Sequence, residues 1–160
     1  MEKTNSKEDW RVRLALSNGQ KTSHAPHIFD FLDDWHSLDK PHIALNQSPT
    51  ARKNIQRAEE RIRANGKDTR HLDYVLDCDA SFKSSRHTYD YSPCITRSKD
   101  KGHWITSRNR RFNKQEMFRL QGMNPTTFKV EVSDHVLGRQ IGNAMSVNVI
   151  EKVPVPHRKP

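Results

Sequence analysis

The sequence predicts an α+β fold: a loop-rich region with a few short strands, followed by helices towards the C-terminus. Short runs of alternating or β-favouring residues occupy 10–16 and 74–79. Stretches with helical spacing and helix-capping residues occupy 48–66 and 113–122. Long polar stretches separate these elements, so the predicted hydrophobic core is small.

The composition also limits the core. Hydrophobic residues make up 32% of the 160 residues, and the mean hydropathy is −0.98. Globular proteins usually contain about 45–50% apolar residues when glycine is counted. Either part of the chain is irregular, or it buries a face against something that these residues do not include.

The charge is strongly basic. Lys and Arg number 28 against 19 Asp and Glu, which gives a formal net charge of +9 and an isoelectric point near 9.8. Such a balance is typical of proteins that contact a phosphate backbone. A basic, soluble surface explains the charge equally well, so the partner has to be identified from motifs.

The cysteines and the hydropathy favour a reducing, intracellular setting. Cys78 and Cys94 form no C-x-x-C pair, so neither a disulfide framework nor a cysteine zinc site is supported. The nine histidines lack Cys or Glu at ligand spacing, which favours surface histidine over a metal site. No apolar run is long enough for a membrane span, and residues 1–10 lack the apolar core of a secretory signal.

The first fifty residues contain one predicted strand. It covers 10–16, WRVRLAL, and ends at the turn signal of residues 17–19, Ser-Asn-Gly. Residues 20–47 are rich in His, Asp and Pro. Their apolar cluster, which fits either one helical turn or a packed loop, consists of Ile28, Phe29, Phe31, Leu32 and Trp35.

The clearest helix follows. Ser48 is a good N-cap, Pro49 suits the first helical position, and the helical spacing runs to Gly66. The apolar positions with this spacing are Ala51, Ile55, Ala58 and Ile62. The opposite face is basic, with Arg52, Lys53, Arg57, Arg61 and Arg63. These side chains could touch phosphate, but the interleaved Glu59 and Glu60 favour a solvated face.

A second strand and a polar stretch come next. Residues 74–79, YVLDCD, predict the strand. Residues 81–109 mix Ser, Arg, Lys, Tyr and His with few apolar positions, which predicts a loop-rich surface that could lie along nucleic acid. Disorder is the alternative.

The segment 110–121, RRFNKQEMFRLQ, has the pattern of a capped helix. Asn113 and Glu116, three residues apart, can form a capping box. Gly122 suits the left-handed position after the helix, and Pro125 prevents its continuation. The inward face is predicted to contain Met117, Leu120 and Phe118.

This segment resembles motif IX of the DNA cytosine-5 methyltransferases, R-x-L-T-x-R-E-x-x-R-L-Q-G-F. The residues that match in register are Arg110, Glu116, Arg119, Leu120, Gln121 and Gly122. Phe112, Asn113, Gln115 and Met123 depart from the pattern. Phe112 stays apolar and Asn113 can still cap, whereas Gln115 loses a charge, so we expect the local ion pairing to differ there.

About twenty residues later, 139–150, RQIGNAMSVNVI, is similar to motif X of the same family, Q-x-G-N-[AS]-V-x-V-x-V. Two ordered motifs at the family's spacing are much more specific than a lone Gly-Asn pair. In the family, motif X opens a helix that completes the S-adenosylmethionine pocket. The resemblance therefore implies that Asn143 and Ala144 bind the cofactor, Ala144 through its backbone only, and that Gly142 permits a close backbone approach. A helix cap is the alternative role for Asn143.

The resemblance also implies roles for the rest of the chain. In the family, motif IX organises the target-recognition region before it, so Arg110, Glu116 and Arg119 are candidates for that role and duplex DNA is the expected partner. Each could equally be an ordinary surface or ion-pair residue. The implied divisions are 1–19, a possible end of the catalytic domain; 20–109, the target-recognition region; 110–153, the C-terminal helices that return to and complete a Rossmann-like methyltransferase domain; and 154–160, a tail. Within the first, residues 10–14 faintly resemble the Q-x-R-x-R strand of motif VIII without its glutamine, and a simple hairpin strand fits equally well.

The family's catalytic motifs do not occur in these 160 residues. Family members flip a cytosine out of the duplex, attack C6 with a cysteine thiolate and methylate C5 from S-adenosylmethionine. That cysteine belongs to P-C-Q or P-C-N, whereas Cys94 lies in S-P-C-I-T-R, just before motif IX, and isoleucine replaces the polar residue. We interpret Cys94 as a structural residue, not the nucleophile. The F-x-G-x-G and E-N-V segments of the cofactor and target-base sites do not occur either.

The sequence therefore predicts a fragment or split subunit of a DNA cytosine-5 methyltransferase, inactive without a catalytic half that carries motifs I to VIII. A non-catalytic DNA-binding or regulatory remnant is the alternative. An RNA-binding protein is disfavoured because no RNP, KH or aromatic-stacking signature is present. The expected location is intracellular: nuclear in a eukaryote, cytoplasmic in a bacterium or phage.

Overall fold

The computed structural model describes residues 26–34, 47–81, 83–127 and 129–150. The predicted strand at 10–16, Trp35 and the tail at 154–160 lie outside these residues. The apolar cluster near residue 30 forms a 3-10 turn at Ile28–Phe31, in which Ile28 is buried and Phe29 is exposed. Of the two alternatives for this cluster, the single helical turn is therefore confirmed.

Helix α1 spans Pro49–Ala64 and confirms the strongest sequence prediction. The Ser48 hydroxyl accepts a hydrogen bond from the Ala51 amide at 3.2 Å, which satisfies one of the amides that a helix start leaves exposed. The four predicted apolar positions are all buried. Gly66, with φ of 71°, provides the left-handed residue just after the helix.

A four-stranded antiparallel sheet follows in the chain. Its strands are β1 (Tyr74–Leu76), β2 (His87–Tyr89), β3 (Trp104–Ile105) and β4 (Arg110–Arg111), in the spatial order β2-β1-β3-β4. The predicted strand at 74–79 is thus confirmed in place but is three residues long. Asp77 and Asp79 leave the ladder and bind Lys99 and Arg111 instead.

The prediction that 81–109 is a loop-rich surface is wrong in part. This stretch contributes β2 and β3, and both residues of β3 are fully buried between β1 and β4. A strand of two residues, Trp104 and Ile105, is too short to give a recognisable period of alternation.

Three helices and two more 3-10 turns complete the described chain. The helices are α2 (Lys114–Leu120), α3 (Asp134–Asn143) and α4 (Val147–Ile150), and the turns are Arg97–Lys99 and Pro125–Thr127. Helix α2 has the predicted inward face, with Met117 and Phe118 buried and Leu120 partly buried against the core. Gly122, with φ of 73°, follows it as predicted.

The sheet is covered on both faces, because successive strand residues point to opposite sides. On one face, Leu76 and Trp104 pack against α1. On the other, Val75 and Ile105 pack with the Ile28–Phe31 turn and with residues of α2 and α3. The α+β class is therefore confirmed as a mixed structure of helices and a small antiparallel sheet. The sequence division at 109/110 falls inside the β3–β4 hairpin, so the two regions share one core.

Candidate functional site

A buried ion pair joins the last strand to helix α2. The Arg110 guanidinium donates to both carboxylate oxygens of Glu116, at 2.7 and 2.8 Å. The Glu116 side chain is completely buried and that of Arg110 is 13% exposed. A two-point contact of this kind is the strongest arrangement of arginine and carboxylate. These two motif residues therefore behave as one unit.

The same carboxylate also binds two backbone amides. Oε1 of Glu116 accepts from the Asp33 N–H and Oε2 accepts from the Asn113 N–H, each at 2.9 Å. The Asn113 side chain accepts in return from the Glu116 N–H at 2.9 Å. The predicted capping box is thereby confirmed. Four donors surround one buried carboxylate, so each of its oxygens has two partners.

Arg119 extends this network to the segment 28–34. Its guanidinium donates to the Phe31 carbonyl at 2.6 Å and forms an ion pair with Asp33. The other Asp33 oxygen accepts from the Asn113 side chain at 2.6 Å. Burial tends to raise the pKa of Asp33, but the hydrogen bonds from Arg119 and Asn113 outweigh it and the pKa is lowered.

The three motif IX candidates, Arg110, Glu116 and Arg119, therefore lie in one network together with Asp33. Sequence analysis missed Asp33, since its partners Asn113 and Arg119 lie 80 and 86 residues later in the chain. No local pattern marks such a residue. Residues 26–34 are fixed to α2 through this aspartate.

Of the departures from motif IX, Asn113 takes part in this network, whereas the charge lost at Gln115 does not. Phe112 is buried in the core and Asn113 forms the cap, as expected. Gln115, which replaces a charged residue, is exposed. The lost charge thus belongs to the surface of α2. The buried pairing depends on positions that match the motif.

The second arginine of β4, Arg111, forms a separate ion pair. It donates to both oxygens of Asp79, at 2.6 and 2.8 Å, and to the Gly102 carbonyl at 2.8 Å. Burial tends to raise the pKa of Asp79, yet the contact with Arg111 holds it below its usual value. This pair connects β4 to the residues that follow β1, so both arginines of β4 anchor other parts of the chain.

Helix α3, which contains the start of motif X, packs on the chain's own backbone through Gly138 and Gly142. A Cβ on Gly142 would lie 2.3 Å from the Thr96 carbonyl oxygen, and one on Gly138 would lie 2.1 Å from that of Asp100. Both distances are far shorter than any real contact, so α3 can approach the Arg97–Lys99 turn only because these residues lack a side chain. Gly142 thus permits a close backbone approach, as expected, but to Thr96.

The expected position of Asn143 at the start of a helix is wrong. Ser133 caps α3 at its beginning, Asn143 is its last residue, and the extended conformation of Ala144 ends it. The Ala144 N–H donates to the carbonyls of Gln140 and Ile141, at 3.0 and 3.1 Å. That amide is therefore engaged within α3, whereas the Asn143 side chain is exposed.

One residue, Gln121, connects the two motifs. Its side-chain amide donates to the Ile141 carbonyl at 3.3 Å, and its own carbonyl accepts from the Val147 N–H at 3.0 Å. Gln121 therefore binds motif X on both sides of Asn143. The Q-x-G-N segment is held against the end of α2 by the glutamine of R-L-Q-G, a position that matches motif IX but for which the sequence predicted no role.

Cys94 lies at the surface beside a small cavity. The cavity has a volume of about 220 Å³ and is lined by ten residues that include Cys94, Tyr91, Ile28 and Leu120. The thiol is free and exposed, and its sulfur lies 3.9 Å from the Ile95 carbonyl oxygen. The buried residue of this segment is Ile95; the interpretation of Cys94 as structural, not the nucleophile, stays a prediction.

Cys78, the other cysteine, is buried. Burial raises the pKa of the Cys78 thiol to about 11, which keeps it protonated near neutral pH. Among the described residues, no three His, Cys, Asp or Glu side chains are grouped so that they could hold a metal ion. Within the same residues, no helix is both long and apolar enough to cross a bilayer.

Comparison with known proteins identifies the family. The model of the C-5 cytosine-specific DNA methylases matches residues 3–155 of the chain. The chain therefore belongs to this family, whose members methylate cytosine in DNA and normally use S-adenosylmethionine. Neither a curated protein nor a solved structure matches the chain significantly.

Proposed function

We propose that these residues supply DNA recognition and one wall of the S-adenosylmethionine site of a DNA cytosine-5 methyltransferase. Methyl transfer then requires a catalytic part with motifs I to VIII, either elsewhere on a longer chain or on a partner. The observation that carries this proposal is the buried network of Arg110, Glu116, Arg119 and Asp33.

The network supports the recognition role because it joins the proposed recognition region to motif IX. It ties residues 28–34, within the proposed recognition region, to α2, within motif IX. Buried, two-point ion pairs hold their partners in a narrow range of positions. A recognition surface built on such a frame would meet DNA in a fixed orientation, which reading a base sequence requires.

The cofactor role rests on the end of α3 and the residues that follow it. The Asn143 amide is exposed and can both donate and accept, which suits the amino-acid end of S-adenosylmethionine. Ala144 can contribute its carbonyl, since its N–H is engaged within α3. The cofactor supplies the methyl group. Residues 139–150 provide only one edge of such a site, so the fit is partial.

The same segment has apolar side chains that a catalytic domain could cover. Met145 is 60% exposed and Ile150 is 51% exposed. They lie on either side of Val147, whose N–H donates to the Gln121 carbonyl. Burying such side chains is favourable by about 25 cal/mol per Å². We expect this surface to pack on the Rossmann-like domain that the family's C-terminal helices complete.

Methyl transfer after reconstitution tests the proposal. The chain is mixed with a matched catalytic part that contains F-x-G-x-G, P-C-Q and E-N-V, and transfer of labelled methyl from S-adenosylmethionine to cytosine in duplex DNA is followed. We expect transfer only when both parts are present. Failure of a folded, matched pair to transfer methyl would favour the non-catalytic remnant.

A variant at residue 143 tests the cofactor wall separately. Asn143→Ala should raise the KM for S-adenosylmethionine in the reconstituted enzyme, because the exposed amide is lost. Val136→Ala is the matched control: it shortens another exposed side chain of α3, about two turns before Asn143. Equal KM values for Asn143→Ala and the unmodified chain would contradict the assignment of motif X.

A further inference from the structure

One flank of helix α1 carries a row of cations. Lys53, Arg57 and Arg61 follow one another at intervals of four residues, so they lie on the same side, about 6 Å apart along the helix axis. Lys53 and Arg61 are exposed and Arg57 is half-buried. The buried face of α1 packs on the sheet, so this flank borders the sheet edge.

The carboxylates of this part of the molecule are engaged in other contacts. Glu59 pairs with Arg63 at 2.5 Å, and Glu60 accepts from the Gln56 side chain at 2.9 Å. After β1, Asp77 pairs with Lys99 and Asp79 pairs with Arg111. Glu59, Asp77 and Asp79 therefore each pair with a cation outside this row, and Glu60 accepts from the neutral Gln56 amide. The described ion pairs use neither Lys53 nor Arg61.

The fold brings a second group of cations to this flank. The Asn54 side chain donates to the carbonyls of Cys78 and Ala80, each at 2.9 Å, and so ties α1 to the start of the β1–β2 connection. That connection contains Lys83 and Arg86, both exposed. At its end, the ring of His87 lies 5.8 Å from that of Tyr74, which packs with the buried face of α1. Burial lowers the pKa of His87, and the nearby charge of Arg61 lowers it further.

We propose that Lys53, Arg61, Lys83 and Arg86 form a surface that binds the backbone phosphates of duplex DNA. We name these four residues the α1 basic surface. This inference rests on the proposed function, which gives DNA as the partner. It adds the face of the chain that contacts the DNA. Contacts to phosphate fix orientation without reading sequence, so this surface would position the duplex while other groups read the bases.

Salt-dependent DNA binding by the 160-residue chain tests this surface. Two variants, Lys53→Gln with Arg61→Gln and Lys83→Gln with Arg86→Gln, each remove two charges. Arg70→Gln with Lys129→Gln is the matched control, since both residues are exposed and lie outside α1 and the β1–β2 connection. Binding to a 20-base-pair duplex is measured by fluorescence anisotropy at several salt concentrations, after circular dichroism has shown that each variant is folded.

Each test variant should lower the slope of log affinity against log salt by about 1.8, since each lost phosphate contact contributes about 0.9. The affinity ratio of unmodified chain to variant should accordingly shrink about twelvefold between 50 and 200 mM salt. The control should keep the slope of the unmodified chain. Unchanged slopes in the test variants, or an equal drop in the control, would show that the α1 basic surface does not bind DNA phosphates. Neither result would contradict the proposed function. No DNA binding by the unmodified chain overturns both the surface and the proposed function.

Discussion

Replacing Glu116 by glutamine should destabilise the protein more than any other single change of charge among the described ion pairs. The side chain is completely buried, and its two oxygens accept four hydrogen bonds. Glutamine retains one oxygen and turns an NH₂ group towards two of those donors. Arg110 also loses its counter-charge. Breaking a buried pair by removing one partner costs about 3–5 kcal/mol, and two unsatisfied N–H groups at about 1–3 kcal/mol each give a similar sum.

Urea denaturation, followed by circular dichroism, measures this cost directly. Glu59→Gln is the matched control, because its i,i+4 partner Arg63 has a side chain that is 57% exposed, and such pairs contribute about 0.3–0.5 kcal/mol. Hydrogen exchange adds a local measurement: the Asp33 amide, which donates to Glu116, should exchange faster in Glu116→Gln. A loss of unfolding free energy below about 1 kcal/mol, or unchanged protection of the Asp33 amide, would contradict the claim that this network holds residues 28–34 against α2.

Three further predictions follow from single positions. Gly142→Ala should cost about 3 kcal/mol or more in urea denaturation, because its Cβ would lie 2.3 Å from the Thr96 carbonyl oxygen; a loss under 1 kcal/mol would show that α3 can move away. At pH 8 a thiol reagent should label the exposed Cys94 within minutes and leave Cys78 unlabelled, since the pKa of Cys78 is raised to about 11; rapid labelling of both would contradict the burial of Cys78. The lowered pKa of Asp33 gives stability that is fully present above its unfolded pKa of about 3.9 and is lost as pH falls through the folded value. Urea midpoints should therefore fall below pH 4, and Asp33→Asn should flatten that fall; an identical pH profile would contradict the assignment.

The local elements were predictable wherever one short segment contains its own signals. Helix α1 has its cap, its proline and its apolar spacing within 18 residues, and α2 has a complete capping box. These features depend on neighbours in sequence, so the printed chain is enough to find them. The same holds for the position of β1, although not for its length.

The long-range parts were not predictable from the sequence. Strand β3 is two residues long and is defined by its partners β1 and β4, so no local period exists to find. Asp33 belongs to the site only because the fold places it against α2. Helix α3 begins after its cap at Ser133 and ends where Ala144 is extended, while Gly138 and Gly142 pack beside the Arg97–Lys99 turn. The resemblance to motif X implied a helix start at Asn143, which is instead the last residue of α3.

The rate of methyl transfer during titration of the chain into a matched catalytic part tests the central claim most directly. If the chain completes a methyltransferase, the rate should be zero without it, rise with its concentration and saturate at one equivalent. Asn143→Ala should shift the S-adenosylmethionine dependence of that rate. The contrary result is a chain that binds duplex DNA in a salt-dependent manner and yet gives no transfer at any concentration. That outcome would contradict the proposed role and identify a DNA-binding remnant.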